Sequence, residues 1–557
     1  MLWRRAEVRF SGFQDESLIS EVYMECFDYV VVGGGTAGCI LANRLSASGK
    51  HRVLLLEAGS EPRNLWISVP AGFSKLLTNN KYNWCFSTTP EANTYHRKIA
   101  VPRGRGLGGS SLINGMIYAW GQPEDYDAWE SAGASGWGFR DVEPYFRKME
   151  TFMSGGTGRG QQGPMNIERV HERFPVSSAF IQAAKEDGHP VNCDYNSGSQ
   201  NGFGYYQTTQ KNGRRWSVVD GYLNPARQRQ NLTVLTSAQV LELNFLGTRC
   251  NGVTYMKSNR AVSVQAGLEV IMAAGAVQTP QILELSGIGD PELLTKYNIP
   301  VRHALSNVGE NYIDHFATRM SWRVKNTVTL NEMARGWRLI RAVGEYISRR
   351  TGILTLGTGL VHGFVKTSPD LKTPDIQYFF VHASYANAAE RVLDREPGMT
   401  IGVTQLRPQS VGSIHIQSSD VNVAPSIKPN FLSAAVDRQC LTEGMKIARR
   451  IINQPAMSDY VSHEMCPGKH VTADQDWLEF ACREGQTIYH PVGTCRMGSD
   501  AEAVVDPQLR VNGLQGLRIA DASVMPLIVS GNTQAAVMMI AEKAADLILS
   551  GSECCSV

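Results

Sequence analysis

No apolar run in this chain approaches the roughly 18 residues that a membrane-crossing helix needs. Charge of one sign is not in excess either: 54 Lys and Arg stand against 52 Asp and Glu, for a formal net charge of +2. A nucleic-acid-binding chain ordinarily carries a basic surplus or stripe, so that class is not supported. Cysteine is sparse, with 11 scattered among 557 residues, and odd in number. No CxxC pair has a matching His or Cys partner, so a structural zinc site is not expected. Cys554 and Cys555 sit side by side in what reads as an exposed tail. The set as a whole suits a reducing compartment. No apolar stretch follows Arg4 and Arg5, which argues against a cleaved signal peptide. Residues 1–26 read as an irregular N-terminal extension, and Met24 stands where a natural start could lie. These absences point to a cytoplasmic location, with a peripheral position on the inner face of a membrane left open.

What is present is ordinary in bulk and distinctive in arrangement. The chain is 43% hydrophobic and 19% charged, as globular proteins are. Its length calls for more than one core. Glycine numbers 53, much of it clustered. Phe27–Val32 is a short β-branched run, as a buried parallel strand requires. It leads into Gly33-Gly34-Gly35-Thr36-Ala37-Gly38, then an apolar stretch at helical spacing, then a second apolar run that ends at Glu57. This order of strand, glycine turn, helix, strand and acid is the dinucleotide fingerprint. Gly33 permits the tight turn, Gly35 lets backbone approach a pyrophosphate, and Gly38 lets helix and strand pack. Thr36 and Ala37 open a helix whose free N–H groups favour phosphate. Glu57, about 20 residues on, is placed to accept hydrogen bonds from an adenosine ribose.

Residues 104–121 read GRGLGGSSLINGMIYAWG, and residues 275–289 read GAVQTPQILELSGIG. HPVGT begins at His490 and GNT at Gly531. Together with the first glycine turn, these segments resemble the glucose-methanol-choline (GMC) oxidoreductases, a family of FAD-dependent enzymes. The match holds in order and spacing over nearly the whole chain, apart from the N-terminal extension and about 316–400. It implies that Arg105, Gly108, Gly109 and Ser110 approach the FAD pyrophosphate and ribityl chain. It places Asn114, Gly115 and Met116 against the isoalloxazine, the Val240 backbone at the adenine edge, and Asp521, Ala522 and Thr533 in flavin-contacting turns. Asp521 and Val240 have plainer readings too, as a cap and a core residue. Some family members attach FAD covalently through a His near the GGSS segment. The matching position here is Ile113, with no His nearby, so a non-covalent flavin is implied.

An alcohol releases hydride readily only as its hydroxyl proton leaves, and a histidine near neutrality suits that task. The resemblance makes His490 the base and gives Asn532 the partner position, donating to the developing alkoxide. Hydride would pass to flavin N5. Asn532 also precedes a strongly helical stretch, where Asn is a favoured cap.

The expected fold class is α/β: a Rossmann-like FAD-binding domain with an inserted antiparallel-sheet substrate domain. Motifs crowd both ends of the chain, so the cofactor domain is expected to be discontinuous (27–160, 205–315 and 486–557), with 161–204 and 316–485 forming the substrate domain. The expected partners are a small alcohol and oxygen or a quinone-type acceptor. Aromatics at 374–385 either line a pocket or pack a core, and packing is favoured. Choline would call for an aromatic cage and an acid, neither of which can be located. Three other functions share parts of the pattern: a nicotinamide-dependent dehydrogenase, a non-oxidising flavoenzyme (lyase or photochemical), and a flavin-binding protein without turnover.

Overall fold

The computed structural model describes residues 25–156, 158–387 and 391–553. The expected start at Met24, most of the N-terminal extension and the Cys554–Cys555 tail lie outside the described residues. The first strand is Cys26–Val32, one residue earlier than the apolar run suggested.

Two large sheets organise the chain. The first runs in the order Leu232–Leu235, Val53–Leu56, Cys26–Val32, Arg260–Met272, Arg249–Lys257, Gln239–Leu246. Its first four strands are parallel, and its last two continue as an antiparallel meander. Leu517–Ile519, from near the C-terminus, adds in parallel beside Val270–Met272. Val30–Val32 and Leu54–Leu56 are almost wholly buried. Complete burial of such side chains contributes about 1.5–3 kcal/mol each, which suits a parallel sheet covered on both faces. The helices Thr36–Leu45 and Gln534–Glu553 pack on each other in this layer, joining the two ends of the chain in one core.

The second sheet is antiparallel, in the order Val461–Cys466, Phe316–Val324, Gly398–Gln405, Ile376–Val381, Val361–Val365, Gly202–Tyr205. Gln486–Thr487, counted by sequence with the cofactor domain, pairs with Phe316–Ala317 at the edge of this sheet instead. Alternation along the strands gives the sheet two chemically distinct faces. Tyr378 lies opposite Val403, Phe380 opposite Ile401, and Met320 also opposite Ile401. This face packs with helix Ala435–Ile452 into a second core. On the other face, Arg319 lies opposite Gly402, which lies opposite Phe379, and Ala317, Thr404 and Gln377 align in the next row. That face turns toward a large cavity between the sheets. The 374–385 segment therefore does both things considered for it: Tyr378 and Phe380 pack the core, while Phe379, Val381 and Tyr385 line the cavity. Among the described residues, no helix is long and apolar enough to cross a membrane.

Candidate active site

The cavity encloses about 2200 Å³ of free space, including its mouth. It runs from the first glycine turn, past the 109–117 segment, to His490 and the second sheet. Gly33, Gly35, Thr36, Ala37, Glu57, Gly109, Ser110, Asn114, Gly115, Met116, Val240, His490, Asp521, Ala522, Asn532 and Thr533 all line it. The structure thus gathers residues up to about 500 positions apart, as a discontinuous sheet must.

Three of the expected cofactor residues stand behind the cavity wall instead. Gly38 packs helix on strand, and a Cβ there would lie 1.8 Å from the Gly33 carbonyl oxygen. Gly108 donates its N–H to the Gly34 carbonyl at 2.7 Å and ties the two glycine segments together. Arg105 lays its guanidinium over Trp84, 4.6 Å from the ring centroid, and its charge favours the ionised form of Glu57. The glycine segments approach so closely that a Cβ on Gly109 would fall 2.8 Å from Gly35 Cα.

Glu57 accepts hydrogen bonds from the backbone N–H groups of Gly34, Gly59 and Gly106 at 2.9, 2.7 and 3.0 Å. Burial raises its pKa, and these three donors oppose that rise. The acid therefore locks the glycine turn while it lines the cavity. Asp521 caps the short turn that follows it, accepting from the Ser523 N–H at 2.8 Å, and also holds Gly275 N–H at 2.8 Å and the Thr279 hydroxyl at 2.7 Å. Val240 is a buried strand residue on the cavity wall. Three helices open onto the cavity by their N-termini: Thr36–Leu45, Gly275–Leu285 and Gln534–Glu553. Such ends carry unpaired N–H groups and partial positive charge, which suits an elongated phosphate-bearing ligand with an electron-accepting ring.

Arg215, which sequence reasoning passed over, is wholly buried beneath the 109–117 segment. It donates to the carbonyls of Ser111 and Asn114 and to the Asn114 side chain, at 3.0, 2.8 and 2.6 Å. Burial lowers its pKa to about 9, so it stays charged near neutrality. Asn114 is thereby immobilised, and its amide also donates to the Gln534 side chain.

His490 is positioned from below by Asp314. One carboxylate oxygen accepts the His490 backbone N–H at 2.8 Å, and the other accepts the Thr487 hydroxyl at 2.5 Å and the Tyr312 hydroxyl at 3.0 Å. Thr487 in turn accepts the Tyr489 N–H at 2.8 Å. Tyr489 is held at φ +75°, a conformation that costs a non-glycine residue energy and persists only where its surroundings impose it. Burial raises the Asp314 pKa to about 6 against these donors.

The hydrogen bonds around His490 fix its tautomer. His315 Nε2 lies 2.9 Å from the Leu406 carbonyl oxygen. A carbonyl only accepts, so that nitrogen carries a proton. Burial lowers the His315 pKa to about 4, which leaves the ring neutral and its Nδ1 bare. His490 Nδ1 lies 3.0 Å from that bare nitrogen and therefore donates to it. His490 Nε2 is left with a lone pair, 3.2 Å from Asn532 Nδ2. The Asn532 carbonyl oxygen accepts from Gln377 Nε2 at 3.3 Å, and the other proton of that amide goes to the Tyr206 hydroxyl at 3.0 Å. This chain turns the Asn532 amino group toward His490. The helix begins at Gln534, so Thr533 holds the cap position, and the Asn532 side chain serves His490 rather than the helix end. Burial, then repulsion from His315 and Arg103, holds the His490 pKa well below its ordinary value.

Family models for GMC oxidoreductases match residues 27–317 and 408–541. The chain is 39% identical to an alcohol dehydrogenase [acceptor] of Pseudomonas putida, over 94% of this chain and 96% of that one. It is 38% identical to an oxygen-dependent choline dehydrogenase of Photobacterium profundum, over 94% and 93%. Among solved structures, pyridoxine 4-oxidase from Mesorbium loti superimposes with a TM-score of 0.85 at 29% identity, over 93% of this chain and 98% of that one. A formate oxidase of Aspergillus oryzae, solved to follow modification of its FAD, gives 0.88 at 27% identity, over 95% and 99%. The chain belongs to the GMC oxidoreductase family.

Proposed function

We propose that this chain is a FAD-dependent oxidoreductase of CH–OH donors, and that its reaction takes place at the His490–Asn532 pair. The observation that carries the reading is the bare Nε2 of His490, facing the cavity 3.2 Å from the Asn532 amino group. A substrate hydroxyl placed between them would give its proton to His490 Nε2. The Asn532 N–H would donate to the same oxygen as negative charge develops there. Because His490 is kept neutral, it is ready to accept that proton near neutrality. FAD, when bound, supplies the two-electron acceptor for the hydride that leaves the alcohol carbon. Residues 33–37, 109–116 and 521–533 would hold it, with the three helix N-termini toward its charged groups. Ile113, at the covalent-attachment position of some family members, lines the cavity and offers no nucleophile, which supports non-covalent binding.

The product is the aldehyde, from a primary alcohol. The electron acceptor that would return the cofactor to its oxidised form is oxygen or a quinone-type compound. The test is an alcohol panel mixed anaerobically with the purified yellow enzyme. Bleaching of the flavin bands by an alcohol, lost in His490→Ala, supports the reading; an unbleached flavin across the panel would overturn it. Repeating the panel with oxygen and with an artificial acceptor separates oxidase from dehydrogenase.

A further inference from the structure

We infer, on the basis of the proposed alcohol oxidation, that Arg319 binds an anionic group, a carboxylate above all, on the far end of the substrate. Arg319 lies on the cavity face of the second sheet, level with Gly402 and Phe379. Gly402 has no side chain, so the wall beside the guanidinium stays open. The partners of Arg319 are uncharged: Nη1 donates to Gln486 at 2.6 Å, and the Tyr489 hydroxyl is bonded to it. Among the described residues no carboxylate pairs with it. A second cation, Arg391, also lines the cavity and repels it, and the Arg391 Nε is buried with no hydrogen-bond partner.

Burial and this repulsion lower the Arg319 pKa to about 10, so the guanidinium still carries its charge near neutrality. Two enclosed cations with no counter-ion among the described residues are costly unless a ligand supplies the anion. Among the described residues the only carboxylates on the cavity wall, Glu57 and Asp521, are both occupied by backbone N–H groups near the glycine turn. A quaternary ammonium would therefore meet repulsion where a carboxylate meets two cations, one with an unpartnered Nε–H. The site selects hydroxy acids over choline-like alcohols.

The test compares ω-hydroxycarboxylates with matched n-alkanols and with choline, on wild type, Arg319→Gln and Arg319→Lys. We expect wild type to favour the hydroxy acid over the matched alkanol in kcat/KM by about 10- to 100-fold, the strength of a charge-assisted contact. Arg319→Gln should bring that ratio close to one, mainly through KM, and Arg319→Lys should restore part of it. Equal use of acids and alkanols by wild type, a preference for choline, or an unchanged ratio in Arg319→Gln would overturn the inference while leaving alcohol oxidation intact. Failure of every alcohol to bleach the flavin would overturn both.

A separate observation concerns the surface. Helix Gly336–Arg349 buries Ala342 and Tyr346 but turns Trp337, Ile340 and Ile347 outward, at 66, 74 and 70% exposure, with Val343 beside them. Residues 337, 340, 343 and 347 follow helical spacing, so these side chains form one outward stripe. Arg341 and Arg350 are exposed beside it and form no ion pair among the described residues. The one acid on this helix, Glu345, is half-buried and bonded to Thr351. A short connection carries the chain on to Thr358, on the cavity wall. We propose that this helix lies on an anionic lipid surface, its apolar stripe at the acyl boundary and its arginines among the headgroups.

Holoenzyme should sediment with vesicles of phosphatidylcholine and phosphatidylglycerol, less with phosphatidylcholine alone, and less as salt is raised. Ile340→Ser with Ile347→Ser should weaken that binding by about 10-fold or more, with flavin content and alcohol bleaching retained. Absence of binding to either vesicle would overturn the proposal. So would a wild-type dimer in solution that the double variant converts to monomer, since a second copy would then be what covers the stripe.

Discussion

Nδ1 of His315 lies 3.0 Å from Nδ1 of His490, and that contact decides which nitrogen of His490 faces the cavity. The proton that the Leu406 carbonyl holds on His315 is felt two rings away, as a bare Nε2 beside Asn532. His315 touches no substrate position in this arrangement; it is a positioning residue. Replacing it with Ala should lower the rate of flavin reduction by about 10- to 100-fold while flavin content stays normal. His315 is neutral above about pH 4 and accepts the His490 Nδ1 proton, so its removal takes away a hydrogen bond that favours the protonated ring, and the acid limb of kcat/KM should move downward. A rate and limb matching wild type would leave the tautomer argument without support.

His490, the proposed base, should be more costly to lose. His490→Ala removes the only bare ring nitrogen at the cavity among the described residues, and flavin reduction should fall by about 10²- to 10⁴-fold. In wild type, the acid limb of kcat/KM should lie below 6.5, because burial holds His490 neutral there. Stopped-flow reduction across pH reads both effects.

Asn532 and Gln377 form the second arm. Asn532→Ala should slow the reductive step by about 10²-fold, as loss of one oxyanion donor does. Gln377→Leu leaves the Asn532 amide in place but removes the donor to its carbonyl oxygen. The Gln377 variant should show a smaller loss, near 10-fold, in kcat rather than KM. Equal losses in the two variants would mean that Gln377 does more than orient the amide.

The parts of this site that were legible in sequence are those whose chemistry is local. The glycine turn, Glu57 and the 104–121 segment each carry their signal within a few residues, because a tight turn or close backbone approach restricts residue type on the spot. His490 and Asn532 were found through their neighbours, HPVGT and GNT. His315, Gln377, Arg319 and Arg215 have no such neighbourhood. They reach the site through strand pairing across the second sheet or through burial under a distant loop. The one signal available was the adjacent Asp314-His315 at the entry to strand Phe316–Val324, two buried polar residues just ahead of an alternating run. Gly38, Gly108 and Arg105 show the opposite limit. A motif can mark residues that build the wall as readily as residues that face the ligand.

The fold also stores an acid sensitivity away from the site. His382 is buried against Phe174, with ring centroids 3.8 Å apart, and neither ring nitrogen has a hydrogen-bond partner. Burial lowers its pKa to about 3, against an ordinary 6.5. The unfolded chain therefore takes up a proton between these values and the folded chain does not. Stability contributed by the neutral ring is present above 6.5 and is lost as pH falls below it. Between pH 7.5 and pH 5 this amounts to about 2 kcal/mol. His382→Phe removes the titration and keeps an aromatic ring at the position. Its denaturation midpoint should fall less than that of wild type between those two pH values, whatever its stability at pH 7.5. Other buried groups titrate in the same range, with His315 adding to the acid loss and Asp314 opposing it, but they are common to both proteins. Parallel pH profiles for the two would show that His382 keeps its ordinary pKa in the folded enzyme.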